Sequence, residues 1–154
     1  MQTAEWASPP DRLRKLIEGK HVAMLTTVEE DGSLHSRPMW AQEIDSQGNL
    51  WFLTPTDSAK VHEVEHNAHV NVSFADVEQD RYVSISGVAQ AWKDPARTER
   101  LSSQLDPAWF PSGRLPAMTL LRIVISRAQY WDRALQRMTQ IGDFGAGAAA
   151  PLPH

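Results

Sequence analysis

The chain has 154 residues, 42% of them hydrophobic and 22% charged, which is typical of one globular domain. It has no cysteine, which excludes disulfides, a thiolate nucleophile and cysteine-bound metal, and its net charge of −4 argues against a nucleic-acid-binding surface. No apolar run approaches the roughly 20 residues of a membrane span, and residues 1–10 lack a signal-peptide pattern. We therefore expect a cytoplasmic protein that binds neither nucleic acid nor membranes.

The first predicted elements are a helix and an antiparallel hairpin. Ser8 is a suitable helix cap, Pro9 suits the first turn, and an apolar stripe follows up to Ile17. Residues 22–28 are rich in β-branched side chains and predict a strand. The glycine-containing turn at residues 30–33 then leads into a return strand over residues 34–44.

The remaining pattern predicts a mainly β fold. Further strands are expected at residues 50–54, 70–75, 81–92 and 118–126, with a short edge segment at 129–132 and helices at 56–66 and 95–104. Six strands with helices only between some of them predict an antiparallel β-barrel with peripheral helices, not a parallel dinucleotide-binding sheet. After Ile141 the composition changes to glycine, alanine and proline, which predicts a domain over 1–141 and a flexible tail over 142–154.

Two segments have the chemistry of an anion site. Arg37 precedes Pro38 in a strand, and because proline cannot donate to a strand ladder, this pair indicates an edge strand or a backbone facing a ligand. Thr54 ends a strand, and Ser58 and Lys60 follow at a helix start, where free N–H groups favour a phosphate. Arg37, on a neighbouring strand, could bind the same phosphate. The alternative is a surface arginine and a capped helix with a solvated lysine.

A zinc-protease pattern also occurs. His62, Glu63 and His66 match His-Glu-x-x-His on a predicted helix. That helix is short and polar, a charged Glu65 occupies a spacer position, and no third ligand follows. Two histidines on a solvated helix face are therefore the favoured interpretation, and a zinc hydrolase is a distant alternative.

An aromatic loop is the last candidate element. Trp109 and Phe110 precede proline and glycine, so their rings are held in a short, restricted segment. Such rings suit stacking on a flat ligand. A core plug or a dimer contact would use the same residues, and both alternatives remain open.

The ordered series of these segments resembles the pyridoxamine 5′-phosphate oxidase-like FMN-binding split barrels, and within them the bacterial general stress protein branch. The matching segments are residues 24–27, 31–32, 35–39, 50–54, 58–61, 71–76, 81–87, 109–113 and 130–132.

The resemblance implies a Greek-key split barrel that forms a homodimer, with two FMN molecules (FAD being possible) in clefts between the subunits. It places the cofactor-binding residues at Arg37, Pro38, Met39, Trp51, Phe52, Leu53, Thr54, Ser58, Lys60, Trp109 and Phe110. Among these, Arg37, Thr54, Ser58 and Lys60 surround the phosphate, and Trp109 and Phe110 come from the partner subunit.

The resemblance also implies a function, with two departures. Ala59 stands where the true oxidases commonly have arginine, and the Arg-x-His signature that holds their substrate is missing after Trp131. We therefore expect a stress-related, flavin-dependent oxidoreductase acting on an undefined small molecule, with a small-molecule electron donor or acceptor, and not a pyridoxamine phosphate oxidase. A non-catalytic flavin-binding or sensing protein is the alternative. No catalytic acid or base can be named.

Overall fold

The computed structural model describes residues 8–19, 22–40 and 42–144. The helices are α1 (Pro9–Ile17), α2 (Ala59–His66) and α3 (Pro95–Ser102), and a 3-10 turn covers Pro107–Trp109. The strands are β1 (Ala23–Val28), β2 (Leu34–Met39), β3 (Gln42–Ile44), β4 (Asn49–Pro55), β5 (His69–Asp76), β6 (Arg81–Trp92), β7 (Met118–Asp132) and β8 (Arg137–Gln140).

The strands form one antiparallel sheet in the order β2-β1-β5-β6-β7-β4-β3, and β8 pairs with β7. The two ends of this path, β2 and β3, follow each other in the chain, and no pairing joins them within the described ranges. The predicted mainly β, antiparallel fold with peripheral helices is confirmed, and it is consistent with a split barrel. The predicted number of six strands is wrong, because the sheet has eight.

Local causes explain the difference in strand number. The predicted strand over 34–44 is interrupted after Met39, so that it becomes β2 and β3 at opposite ends of the sheet. Strand β7 continues without a break to Asp132 and absorbs the predicted edge segment. A tight turn, in which Gln136 has a φ of 51°, then leads into β8. The four residues of β8 are largely exposed and lack a clear apolar alternation, which is why their sequence did not predict a strand.

Burial alternates along the strands and creates two clusters. In β4, Leu50 and Phe52 face the main core inside the curved sheet. Trp51 and Leu53 face the opposite side, where they pack with Leu101 of α3. This alternation follows from the two-residue period of a strand and gives both faces of β4 a buried environment.

The main core also includes Phe144, which is 7% exposed and would contact a Cβ placed on Gly48. Phe144 falls within the predicted tail of residues 142–154. Residues 145–154 lie outside the described residues, so flexibility of that part stays a prediction.

Gly87 marks a β-bulge where the pairing of β6 and β7 changes register. A Cβ at this position would overlap the carbonyl oxygen of Val124 and lie 2.9 Å from Cγ2 of Ile123. We expect Gly87→Ala to lower the free energy of unfolding by about 1–3 kcal/mol, because backbone and core must move. Urea denaturation measures this as a lower midpoint. The exposed Gln90→Ala on the same strand is the control, and equal midpoints for the two variants would contradict the close approach.

Candidate functional site

A network of hydrogen bonds surrounds Arg37 on β2; we call Arg37, Thr27, His35 and Glu63 the Arg37 cluster. One guanidinium nitrogen of Arg37, Nη2, donates to Oε1 of Glu63 at 2.6 Å and lies 2.8 Å from Nδ1 of His35. The other, Nη1, donates to the hydroxyl of Thr27, which in turn donates to Oε1 of Glu63 at 2.6 Å. The side chains of Arg37 and Glu63 are each only 13% exposed.

The fold explains how these residues meet. Strand β2 is an edge strand, as Pro38 predicted, and it pairs with β1 so that Thr27 lies opposite His35. Helix α2 packs on the sheet through Val61 and Val64, which directs Glu63 toward Arg37. Arg37 and Thr54 were expected on neighbouring strands. This expectation is wrong, because Arg37 lies on β2 and Thr54 on β4, and these two strands are separated in the sheet.

Glu63 holds Arg37 in place as a carboxylate. Burial alone would raise the pKa of Glu63. The hydrogen bonds from Thr27 and Arg37, together with the guanidinium charge, lower it by more, so the pKa of Glu63 lies below its ordinary value. It is therefore ionised at neutral pH. A guanidinium has five N–H donors. The bonds to Thr27, Glu63 and His35 leave the Nε–H and one Nη1–H of Arg37 available for a ligand.

Lys60 is the second cation of the site. It is half-buried near the start of α2, and among the described residues its ammonium has neither a hydrogen bond nor an ion pair. Burial and then the charge of Arg37 lower the pKa of Lys60, while Glu63 offsets part of this effect. A partly desolvated ammonium that forms no direct ion pair is a place where a bound anion is stabilised.

Ser58 offers a hydroxyl at the start of α2, two residues before Lys60. It is the N-cap of α2, but its side chain makes no capping hydrogen bond. Ser8 and Asp94, by contrast, cap α1 and α3 through their side chains. The hydroxyl of Ser58 lies 3.4 Å from that of the buried Thr54. The structure thus brings Thr54 and Ser58 together at the helix start, and the helix N–H groups stay available for an anion.

The other predicted residues of β2 and β4 are mostly buried in protein. Met39 and Phe52 are in the main core, and Pro38 is exposed. The indole N–H of Trp51 donates to Oδ2 of Asp45 at 2.9 Å, and the guanidinium of Arg97 lies 4.0 Å from the ring. Leu53 lies beside Trp51 in the cluster under α3. Cofactor contacts by the side chains of Met39, Phe52, Trp51 and Leu53 stay a prediction that this packing does not favour.

The aromatic loop forms an exposed pair of rings instead of a core plug. Trp109, in the 3-10 turn, is 56% exposed, and Trp40, directly after β2, is 42% exposed. Their ring centroids are 6.1 Å apart. Phe110 follows Trp109 and is partly buried. The role of Trp109 and Phe110 at a partner's cofactor stays a prediction.

The zinc-protease pattern is not assembled as a metal centre in the described residues. The rings of His62 and His66 stack on the exposed side of α2, and Nε2 of His62 lies 3.6 Å from Oε1 of Glu30. Glu63, which would be the general base of that motif, is bonded to Thr27 and Arg37. This geometry does not favour the zinc hydrolase.

A different trio, Glu29, His35 and Glu63, has potential ligand atoms within 4.8 Å of one another. The guanidinium of Arg37 donates into this group at Glu63 and contacts His35. A fixed positive charge at this distance repels a metal cation. The trio is therefore an ion-pair network around Arg37.

Two cavities open elsewhere on the described surface. One of about 870 Å³ lies beside α1, and one of about 750 Å³ lies between α2, the end of β6 and α3. No predicted cofactor residue lines either of them. The Arg37 cluster and Lys60 thus lie outside the two cavities.

A curved, unclosed antiparallel sheet with peripheral helices defines the chain as a split-barrel protein. The profile of the family described as "Pyridoxamine 5′-phosphate oxidase like" matches residues 9–149, and the chain belongs to this family. None of the curated protein sequences compared is significantly similar. Within the described ranges, no helix has the length and apolar character needed to cross a membrane.

Several solved structures are similar to this chain. The general stress FMN/FAD binding protein from Xanthomonas citri is 32% identical, with a TM-score of 0.58 over 78% of this chain and 85% of that chain. General Stress Protein 26 from Bacillus anthracis is 21% identical, with a TM-score of 0.69 over 91% of this chain and 99% of that one. An F420 reductase is 24% identical, with a TM-score of 0.60 over 75% of this chain and 94% of its own.

Proposed function

We propose that this protein binds FMN through its phosphate at Lys60, Ser58 and Arg37, and acts as a flavin-dependent oxidoreductase on a small molecule. The observation that carries the proposal is the half-buried ammonium of Lys60, which forms no hydrogen bond or ion pair with a described residue and lies near a guanidinium held in place by Glu63. The name of the Xanthomonas citri relative, a general stress FMN/FAD binding protein, supports a flavin ligand.

The donor set suits a terminal phosphate monoester. Such a group carries about −1.5 to −2 charges at pH 7 and three acceptor oxygens. Lys60 and Arg37 supply two positive charges, and the hydroxyl of Ser58 and the N–H groups of α2 supply further donors. FMN ends in this monoester, whereas FAD presents a diphosphate with one negative charge per phosphate. We therefore favour FMN over FAD.

A bound flavin would supply the electron or hydride transfer, and the protein's residues would bind and orient it. The ionisable groups of the Arg37 cluster bond to one another, and the proposed phosphate position lies beside Arg37. Their role is thus to position the cofactor rather than to transfer protons to a substrate. The similarity to the general stress FMN/FAD binding protein of Xanthomonas citri supports a stress-related role.

We further propose that the active form is a homodimer. The supporting observation is the outer face of β2, β1, β5 and β6, which is the face of these strands turned away from the main core. Apart from His69 at one end of β5, the outward side chains in this region are not ionisable under ordinary conditions: Leu34, Ser36, Pro38, Met24, Thr26, Val28, Asn71, Ser73, Ala75, Tyr82, Ser84, Ser86 and Val88. Its polar groups bond laterally, as in Thr26 with Ser36 at 2.6 Å and Asn71 with Ser84 at 3.0 Å. A second copy can cover such a face without leaving unsatisfied groups.

The dimer also supports the cofactor proposal. The Arg37 cluster and Lys60 line neither described cavity, which fits a cleft that a second subunit completes. The exposed rings of Trp40 and Trp109 are suited to such a contact, because aromatic residues are enriched at interfaces.

The oxidoreductase proposal is tested by mixing the flavin-loaded protein with NADPH or NADH without oxygen. We expect the visible flavin band to disappear and to return when air is admitted. The control is free FMN at the same concentration, which measures reduction that does not need the protein. A band unchanged by either donor, or bleached no faster than free FMN, would argue for the non-catalytic flavin-binding alternative.

A further inference from the structure

The cavity of about 870 Å³ beside α1 has the composition of a second binding site. It lies between α1, the start of β6, and the β7–β8 hairpin. Its walls combine basic side chains with an apolar surface, contributed by Arg12, Lys15, Arg81, Leu16, Tyr130 and Ile141. None of these residues belongs to the proposed flavin site.

The charge of the cavity is positive in a protein whose formal net charge is −4. Arg14 and Asp11 also line it, but they neutralise each other through an ion pair of 2.6 Å. Among the described wall residues, the basic Arg12, Lys15 and Arg81 then face one further acidic residue, Glu18, so that the described walls carry a net charge of +2. These three basic side chains form no ion pair with another described residue.

Arg12 has a buried side-chain donor, Nε, that lacks a hydrogen-bond acceptor among the described residues. The absence of a side chain at Gly142 leaves room for the guanidinium, because a Cβ there would lie 2.5 Å from Nη2 of Arg12. Gly142 also has a φ of +145°, which favours glycine. Burying a charged donor without an acceptor is costly, and an anion next to the guanidinium would offset part of that cost.

We propose that this cavity binds a small organic anion that carries an apolar or aromatic group. Its phosphate or carboxylate would pair with Arg12, Lys15 and Arg81, and its apolar part would pack on Leu16 and Tyr130. This site is separate from the Arg37 cluster, so the proposal does not depend on flavin binding.

Calorimetric titration of the full chain, loaded with FMN and then separated from unbound FMN by gel filtration, tests this proposal. The probes are phenyl phosphate and benzoate, which separate phosphate from carboxylate recognition, and benzyl alcohol, which has the ring without the charge. We expect at least one anion to bind with a Kd of about 1 mM or tighter, and the alcohol not to bind. Absence of saturable binding by both anions, or equal binding of the alcohol, would overturn the proposal.

Variants locate the binding. Arg81→Gln and Lys15→Gln alter exposed side chains, and each is expected to weaken anion binding by about tenfold, the effect of losing one charge-assisted contact. Arg12→Gln is expected to do the same, but it alters a partly buried residue, so its folding is checked by circular dichroism. Lys93→Ala removes an exposed lysine outside both sites and is the control that should leave the affinity unchanged. Weakening by Lys60→Ala, with no effect of Arg81→Gln and Lys15→Gln, would place the anion at the Arg37 cluster and overturn the proposal.

Discussion

Lys60→Ala is expected to weaken FMN binding by about 10- to 100-fold, because it removes one charge-assisted contact to the phosphate. Adding Arg37→Ala is expected to abolish flavin retention through gel filtration. Arg37→Ala alone would leave the carboxylate of Glu63 largely buried without its guanidinium, so it is best combined with Glu63→Gln. Fluorescence titration of the purified protein with FMN measures the affinities.

Two control variants separate the loss of charge from a loss of folding. Lys93→Ala removes an exposed lysine and should leave FMN affinity unchanged. Lys60→Arg keeps a positive charge and should retain most of the binding. If Lys60→Ala binds FMN as tightly as Lys93→Ala, the phosphate assignment is wrong.

The effect of pH adds an independent signature of Lys60. Its pKa is lowered in the free protein, first by burial and then by Arg37, and a bound phosphate would raise it. Between the pKa of Lys60 in the free protein and its higher pKa in the FMN complex, binding therefore takes up protons. The affinity for FMN should fall as pH rises through the pKa of Lys60 in the free protein. Arginine stays protonated throughout this range, so the fall attributed to Lys60 should be absent in Lys60→Arg.

The second large effect is expected from Ser73→Arg on the outer sheet face. Ser73 lies opposite Met24 of β1 and Ser84 of β6, in the middle of the uncharged region. A buried arginine without a partner at an interface costs several kcal/mol, so the dimer should dissociate. Light scattering should show a mass near 17.3 kDa for the variant, against about twice that value for the wild-type protein.

The matched control is Ser46→Arg, the same change in an exposed turn between β3 and β4. It should remain dimeric and yellow. Because we place the flavin in a shared cleft, Ser73→Arg should lose the flavin together with the dimer. A monomeric variant that still binds FMN tightly would contradict the shared cleft, and a wild-type monomer would contradict the dimer itself.

Much of the fold was predictable because local signals agreed. Ser8 and Asp94 are side-chain caps at the predicted helix starts, and β6 has the predicted bounds of 81–92. The split of residues 34–44 was not predictable, because both halves are extended and only the three-dimensional path of the sheet separates them. Strand β8 was missed because its pairing with β7 is stabilised by the hairpin and not by an apolar pattern.

The candidate site was predicted in its cations but not in its organisation. Arg37 and Lys60 were named as candidates because Pro38 and a helix start gave them a local context. Thr27, His35 and Glu63 were missed as partners of Arg37, because they are 10, 2 and 26 residues away from it and no spacing rule connects them. Glu63 drew attention only through a zinc-protease pattern, and in the structure it is bonded to Thr27 and Arg37 while His62 and His66 stack on the exposed side of α2. Trp51 and Leu53 pack against α3, so their assignment to the cofactor stays a prediction that the packing of their side chains does not favour.

The most direct test is a titration of the purified apoprotein with FMN, with riboflavin as the comparison, because riboflavin has the same ring system without the phosphate. We predict saturable FMN binding at one flavin per chain and a rise in the melting temperature, with riboflavin binding at least about tenfold more weakly. Equal affinity for the two flavins, or no binding and no change in melting temperature with FMN, would contradict a phosphate site at Lys60 and Arg37.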